Sequence, residues 1–278
     1  MTEIETMIDE EKLNDLIDAC WAHHAWVEEN YHNILPVKEI PILWFGDLFA
    51  YQESPRKIVT VGLNPSEMEF RDGENPWKRG SPSICRFPNQ HLFSPTDPLS
   101  ATDRIEYKTV LNAYFKTDPY WHWFSHWSPI LSELKASYDG TVGNSTALHI
   151  DICTPLATNE SWSKVKHDTK SAIVGNAHSE PLDLWGGLLK VLRPTLLLLC
   201  VGKCHLHEIE SFSSIRFERR KRRDFCNGHE SHNVEWGKGT IDGNTFQIFN
   251  TPPEKRYPWT EWTLDAVKEI AHDLETVF

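Results

Sequence analysis

Several things are scarce or missing in this 278-residue chain. No long apolar run is present: the longest, "LLLLCV" from Leu196 to Val201, falls far short of the ~20 residues that span a bilayer, so no membrane partner is expected. The start, "MTEIETMIDEE", is acidic and has no apolar centre, so no signal peptide is expected. Cysteines number six, without regular spacing and without any Cys-x-x-Cys pair. That pattern suits a reducing, cytoplasmic setting better than a disulfide framework. Basic residues are in deficit, 28 against 40 acidic, for a formal charge of −12. Such a balance argues against a protein that coats nucleic acid non-specifically, while leaving room for a local basic footprint. No phosphate-cradling glycine loop and no Gly-x-Ser-x-Gly elbow can be found, which weighs against a phosphate-ester or nucleoside hydrolase. Repeats, low-complexity tracts and clear linkers are likewise missing. The expectation is one domain over 1–278, monomeric, with an N-terminal helical extension over about 1–50.

Aromatic residues, by contrast, are plentiful. Twelve Trp are present, and Tyr120, Trp121, Trp123, Phe124 and Trp127 crowd one stretch. A core helix explains that stretch better than nucleic-acid stacking does, except for one or two members. Leu13, Leu16, Ile17, Cys20, Trp21 and His24 recur at helical spacing. Strands are expected at 57–63, 146–153, 195–202 and 245–250. Helices are expected from Asp103 to about Phe115, from Trp121 to Tyr138, over Leu182–Leu192, and on the face Leu264, Val267, Ile270, Ala271 and Leu274. Residues 64–100 read as a long loop, and 216–244 as a polar, basic stretch. Strands separated by helices imply crossovers, hence a largely parallel sheet with helices on both faces. The fold class expected is an α/β, three-layer α/β/α sandwich around a mainly parallel four-stranded sheet. In such sheets the working residues collect after the carboxyl ends of the strands. The segments in that position are "LNPS", "TPLAT", "GKCH" and "NTPPEKRYPW".

Taken in order, these segments resemble the uracil-DNA glycosylase superfamily. "GLNPS" (62–66) is similar to the first active-site motif of the mismatch-specific and single-strand-selective branches, which carry Gly-x-Asn-Pro-Gly. "CTPL" resembles the segment that supplies the base-reading residue, and "VGK" (201–203) the Gly-Lys after the third core strand. "FNTPPEKR" (249–256) looks like the second motif, Asn-Pro-Ser or His-Pro-Ser in relatives. The similarity covers roughly 57–277. It implies a monofunctional DNA glycosylase that hydrolyses the N-glycosidic bond of a flipped-out base, with DNA as partner and no cofactor.

The resemblance implies roles residue by residue. Asn64 positions the attacking water through its carbonyl oxygen, since an amide is no strong base. Leu63, Pro65 and Ser66 shape the base site. Asp151 departs from the Asn that relatives use to read the base edge: an ionised carboxylate only accepts, which suits the exocyclic amine of cytosine. A catalytic role, or a plain turn cap, is the alternative for it. Ser66 replaces a bulky residue that, in strictly uracil-specific relatives, excludes groups at C5. Trp77, Phe70 or Phe87 supplies the stacking aromatic, or else pins the long loop to the core. Asn250 contacts the leaving base or the adjacent phosphate; because "NTPP" breaks the family pattern, Thr251 is the alternative donor. Lys255 and Arg256 face the DNA backbone.

"RFERRKRR" (216–223) packs six basic residues into eight positions, so Arg219, Arg220, Lys221, Arg222 and Arg223 are expected to grip phosphates. An ordinary solvated charge run is the alternative. Cys200, Cys204, His205 and His207 with Cys226, His229 and His232 make a metal site conceivable, yet no metal is expected, because paired cysteines and the iron–sulfur pattern are missing. The favoured substrate is a C5-modified cytosine, hydroxymethylated or glycosylated as in phage DNA, which would serve defence against foreign DNA. The alternatives are a repair glycosylase for uracil or mismatched thymine, and a catalytically silent nucleic-acid-binding member of the fold.

Overall fold

The computed structural model describes residues 8–36, 39–70, 73–74, 82–83, 86–87, 97–180, 182–202, 205–206, 234–251, 257–259 and 262–276. Helix α1 (Glu10–Tyr31) starts where Asp9 accepts from the Lys12 N–H at 3.2 Å, with Glu10 and Glu11 in its first turn. Both features suit the positive end of a helix. Leu13, Leu16, Ile17, Cys20, His23 and Val27 form its buried face. A short helix α2 (Leu48–Glu53) leads into strand β1 (Ile58–Gly62). Helix α3 (Ala101–Asn112) is capped by Ser100 rather than by Asp103; Asp103 completes a capping box from the third helical position.

The single helix expected over Trp121–Tyr138 is broken. It becomes α4 (Trp121–Phe124), a tight turn, and α5 (Ser128–Glu133), which restarts with Pro129 in its first turn. Strand β2 (Leu148–Asp151), helices α6 (His167–Ala177) and α7 (Leu184–Leu192), and strand β3 (Leu196–Leu199) follow. Strands β4 (Glu235–Ile241) and β5 (Asn244–Asn250) and helix α8 (Leu264–Thr276) complete the chain.

The central sheet has five strands in the order β2-β1-β3-β5-β4, one more than expected. Four run parallel, and β4 is an antiparallel edge strand lying inside the stretch read as polar and basic. Asp242 and Gly243 join it to β5 with φ of 46° and 76°, the left-handed pair that a two-residue hairpin demands. Every residue of β1, β2 and β3 is buried, so both faces of the sheet are covered. Helix α1 packs on α7 and α6, and α5 packs on α8. Among the described residues no helix is long and apolar enough to cross a membrane.

Two tethers lead from this frame toward the strand ends. The Tyr107 hydroxyl donates to the Pro41 carbonyl at 2.9 Å and accepts from the Leu43 N–H at 3.2 Å, fixing the segment that ends in Phe45. His23 of α1 bonds Thr154 Oγ1 at 2.9 Å and Asn176 Oδ1 at 2.6 Å, tying α1 to the loop after β2 and to α6. Burial pushes the His23 imidazole down to about 4, so it is neutral in the fold. A depressed histidine contributes stability that is full above its unfolded value near 6.5 and is lost as pH falls through about 4. His23→Ala is therefore expected to lower the thermal midpoint at pH 7.5 by about 4–8 °C, the shift of ~2 kcal/mol, because Thr154 and Asn176 each lose a buried partner. Thermal scans of both proteins from pH 7.5 to 4 should show this difference shrinking below about pH 6.5.

Candidate active site

The carboxyl ends of β1, β2 and β3 open on one cavity of about 390 Å³. It lies where the chain, having stepped from β1 to β2 on one side, crosses to β3 on the other, the place where such sheets hold ligands. The buried end is lined by Phe45, Gly62, Glu69, Phe124, His149, Asp151 and Cys200. Trp162 is buried too, whereas Tyr120, Trp123, Ser161, Ser163 and Tyr257 are partly or fully exposed, and Leu63, Asn64, Pro65 and Ser66 complete the lining.

Asn64 is held by its amide nitrogen. Nδ2 donates to the Pro65 carbonyl at 3.0 Å, to the Leu156 carbonyl at 3.3 Å and to Thr158 Oγ1 at 3.1 Å. The Thr158 hydroxyl proton goes to the Glu160 carbonyl at 2.7 Å, so its oxygen accepts from Asn64. Flipping the amide would set its oxygen against two carbonyls, so the network itself fixes the orientation. The carbonyl oxygen is thereby the atom left to hold a ligand. Backbone bonds from Ile152 N to Gly62 O (3.1 Å) and from Cys153 N to Leu63 O (2.8 Å) stitch this turn to the end of β2. Ser66 accepts from the Met68 N–H at 3.2 Å and so starts the turn that carries Glu69.

Asp151 and His149 stand on one face of β2, paired with Gly62 and Thr60 of β1. Thr60 Oγ1 lies 2.6 Å from the Tyr138 hydroxyl and 2.8 Å from His149 Nδ1. The Asp151 carboxylate, its Oδ1 3.6 Å from Nε2, favours the tautomer with the proton on Nε2, and Thr60 then donates to Nδ1 at 2.8 Å in preference to the Leu148 carbonyl at 3.3 Å. An N–H then faces the carboxylate. A methyl group on Gly62 would lie 2.5 Å from Asp151 Oδ1 and 3.1 Å from His149 Nε2, so only glycine fits there.

Glu69, buried beside the cavity, accepts from the Tyr114 hydroxyl at 2.7 Å and lies 4.0 Å from Arg86 Nε. Burial, helped by the charge of Asp151 and opposed by Arg86 and Tyr114, raises its carboxyl to about 7. Arg86 in turn lies over the Tyr120 ring, 5.0 Å from its centre, and its guanidinium also donates to the Met68 carbonyl. Burial pushes the Cys200 thiol up to about 12, so it is no thiolate nucleophile near neutral pH.

Comparison with family models, curated proteins and solved structures gave no match. The site therefore has to be judged on its own geometry.

That geometry gathers Leu63, Asn64, Pro65, Ser66 and Asp151 around one cavity. It does not bring Asn250 there. Asn250 is buried, with Oδ1 accepting from Val201 N at 3.0 Å and Nδ2 donating to Val201 O at 3.1 Å. Both ends of its amide thus clamp the chain beyond β3 to β5, and the expected contact with base or phosphate is replaced by a structural bond. Thr251 is buried as well, its N–H given to the Leu199 carbonyl at 3.0 Å, which removes it as a DNA-facing donor. Phe70 and Phe87 stack on each other, 5.6 Å apart, and neither lines the cavity; they pin the loop to the core. Trp77, Lys255, Arg256, Arg219, Arg220, Lys221, Arg222 and Arg223 lie outside the described residues. So do Cys204, His207, Cys226, His229 and His232; among the described residues no cluster could hold a metal ion.

Glu69, His149, Phe45, Phe124 and Trp162 are among the lining residues that sequence reasoning missed. His149 had a usable signal, standing two residues before Asp151 and so on the same face of the strand. Gly62→Ala should leave the fold intact but displace Asp151. If the cavity catalyses base release, single-turnover rates should drop by about 100-fold, as for other ångström-scale misplacements of a working group.

Proposed function

We propose that this chain is a DNA glycosylase that hydrolyses the N-glycosidic bond of a base turned out of the stack, with a C5-modified cytosine as its preferred target. The observation that carries the proposal is the fixed orientation of Asn64. Three acceptors hold its N–H groups, and the carbonyl remains to orient a water in the same cavity as Asp151. Glycosidic hydrolysis of this type develops positive charge on the sugar and negative charge on the departing base. It calls for a placed water more than for a strong base. Phe45 and Phe124 form apolar walls beside the polar groups, as a flipped base requires.

Two features favour modified cytosine over uracil. Asp151 lines the cavity, and a carboxylate there can accept from an exocyclic amine, with His149 Nε2 3.6 Å from its Oδ1. The cavity volume is also more than twice the ~150 Å³ that takes up one benzene ring, so a base bearing a substituent fits. Ser66, small and half-buried on the cavity side, adds to that room. Bases of this kind occur in phage genomes, and defence against foreign DNA is the corresponding role. The clamped Asn250 favours a second reading, a silent DNA-binding member of the fold, because the residue expected to meet the base is committed to the backbone instead.

Single- and double-stranded DNAs carrying uracil, mismatched thymine, hydroxymethylcytosine or its glucosylated form, treated with the protein and then alkali, separate these readings. Strand breaks at the modified cytosines are expected, and binding without breaks would leave the silent form. Asn64→Ala should slow release by about 100-fold or more while the protein still folds. Asp151→Asn should shift preference toward uracil, since an amide can donate to O4 and accept from N3.

A further inference from the structure

We infer that Glu69 is a catalytic acid, donating a proton to ring nitrogen N3 of a cytosine-type base as its glycosidic bond breaks. This rests on the glycosylase reading of the cavity and adds to it a residue that the motifs do not contain. The chemical need is specific to cytosine. When the N1–C1′ bond breaks heterolytically, its electron pair goes to the base. The cytosine anion is a poorer leaving group than the uracil anion, because an amine at C4 replaces an electron-withdrawing carbonyl. A proton delivered to N3 lets the base depart neutral. Water adds its oxygen to C1′, and the proton it loses restores the carboxyl, so the net reaction consumes one water.

The cavity presents what this step requires. The Watson–Crick edge of cytosine places a donor, the amine, beside an acceptor, N3. Asp151 takes the amine, and a donor is then needed for N3. Among the described lining residues that are buried, those with a polar atom in the side chain are Glu69, His149, Asp151, Cys200 and Trp162, and the Trp162 indole N–H can donate a hydrogen bond but does not give up its proton. The His149 N–H is directed at Asp151 through Tyr138 and Thr60, and the Cys200 thiol is a weak donor. Glu69 is the remaining candidate, and it fills the role only when protonated. Its surroundings allow that at neutral pH: burial and the Asp151 carboxylate raise it to about 7, against the pull of Arg86 and the Tyr114 hydroxyl. An acid poised near the working pH transfers a proton best. The Tyr114 bond to Oε2 and the Arg86 guanidinium 4.0 Å away also hold the carboxyl in place and receive the negative charge once the proton has left.

Glu69→Gln keeps the shape and removes the acid. Single-turnover release of hydroxymethylcytosine or its glucosylated form should fall by about 100-fold or more, the usual contribution of a general acid. Uracil release by the same variant should fall far less, because uracil departs as a stable anion. Wild-type release of the cytosine bases should also decline as pH rises through about 7, and the variant's residual rate should lack that decline. Tyr114→Phe supplies an independent check: it removes a hydrogen bond that favours the ionised form, so the decline should move to higher pH. A purely structural role would move no pH profile. Equal losses on uracil and cytosine, unchanged cytosine release, or an unmoved profile in Tyr114→Phe would each overturn the role of Glu69 while leaving the glycosylase reading standing. Failure of the wild-type protein to release any base would remove that reading, and the acid with it.

Discussion

A parallel sheet covered on both faces leaves no water for a polar side chain in its strands. Thr60, His149 and Asp151 nevertheless sit in β1 and β2, all buried. They are tolerated because each answers the next: Tyr138 to Thr60, Thr60 to Nδ1, and Nε2 toward the carboxylate. The parallel register sets this chain of contacts, since it pairs Thr60 with His149 and Gly62 with Asp151. The missing side chain at Gly62 then lets the carboxylate stand close to the neighbouring strand. The same pairing closes the Asn64 turn against the end of β2. Fold and site therefore draw on one constraint, the satisfaction of polar groups where a dry sheet meets the cavity.

The sheet was largely legible in the sequence because short segments rich in Val, Ile, Leu and Phe, ended by Gly, Asn or Pro, leave little choice. What escaped was β4, whose half-buried residues carry no strong pattern. The Asp-Gly pair at 242–243 was its one clear sign. The cavity lining was legible at the carboxyl ends of strands, with Asp151 the last residue of β2 and Asn64 two residues past β1. It was illegible where a side chain arrives from elsewhere in the chain. Phe45 comes from the segment before β1, and Glu69 from a turn beyond the motif; neither has a spacing that announces its destination. Asn250 shows the converse failure. Its place after a strand suited a ligand contact, but a buried amide next to unpaired backbone groups is drawn to those groups first.

The two carboxyl groups of the cavity illustrate how surroundings divide labour between like side chains. Asp151 has an imidazole N–H behind it. Glu69 is buried with the Tyr114 hydroxyl bonded to it, and burial outweighs the nearby Arg86. On the glycosylase reading, surroundings this different let the same functional group serve as acceptor at Asp151 and as donor at Glu69.

The bridge between Phe45 and His149 has a consequence beyond the cavity wall. Phe45 N donates to His149 O at 2.8 Å, and His149 N donates to Phe45 O at 3.1 Å, so the segment before β1 lies along the outer side of β2. Without it, β2 would be a bare edge with unpaired backbone groups, open to pairing with a strand of another molecule. The residues ahead of the sheet thus act as a seal against self-association, and the ring that walls the ligand space is part of that seal. A fragment beginning at β1 would be a half-sheet with one edge left open.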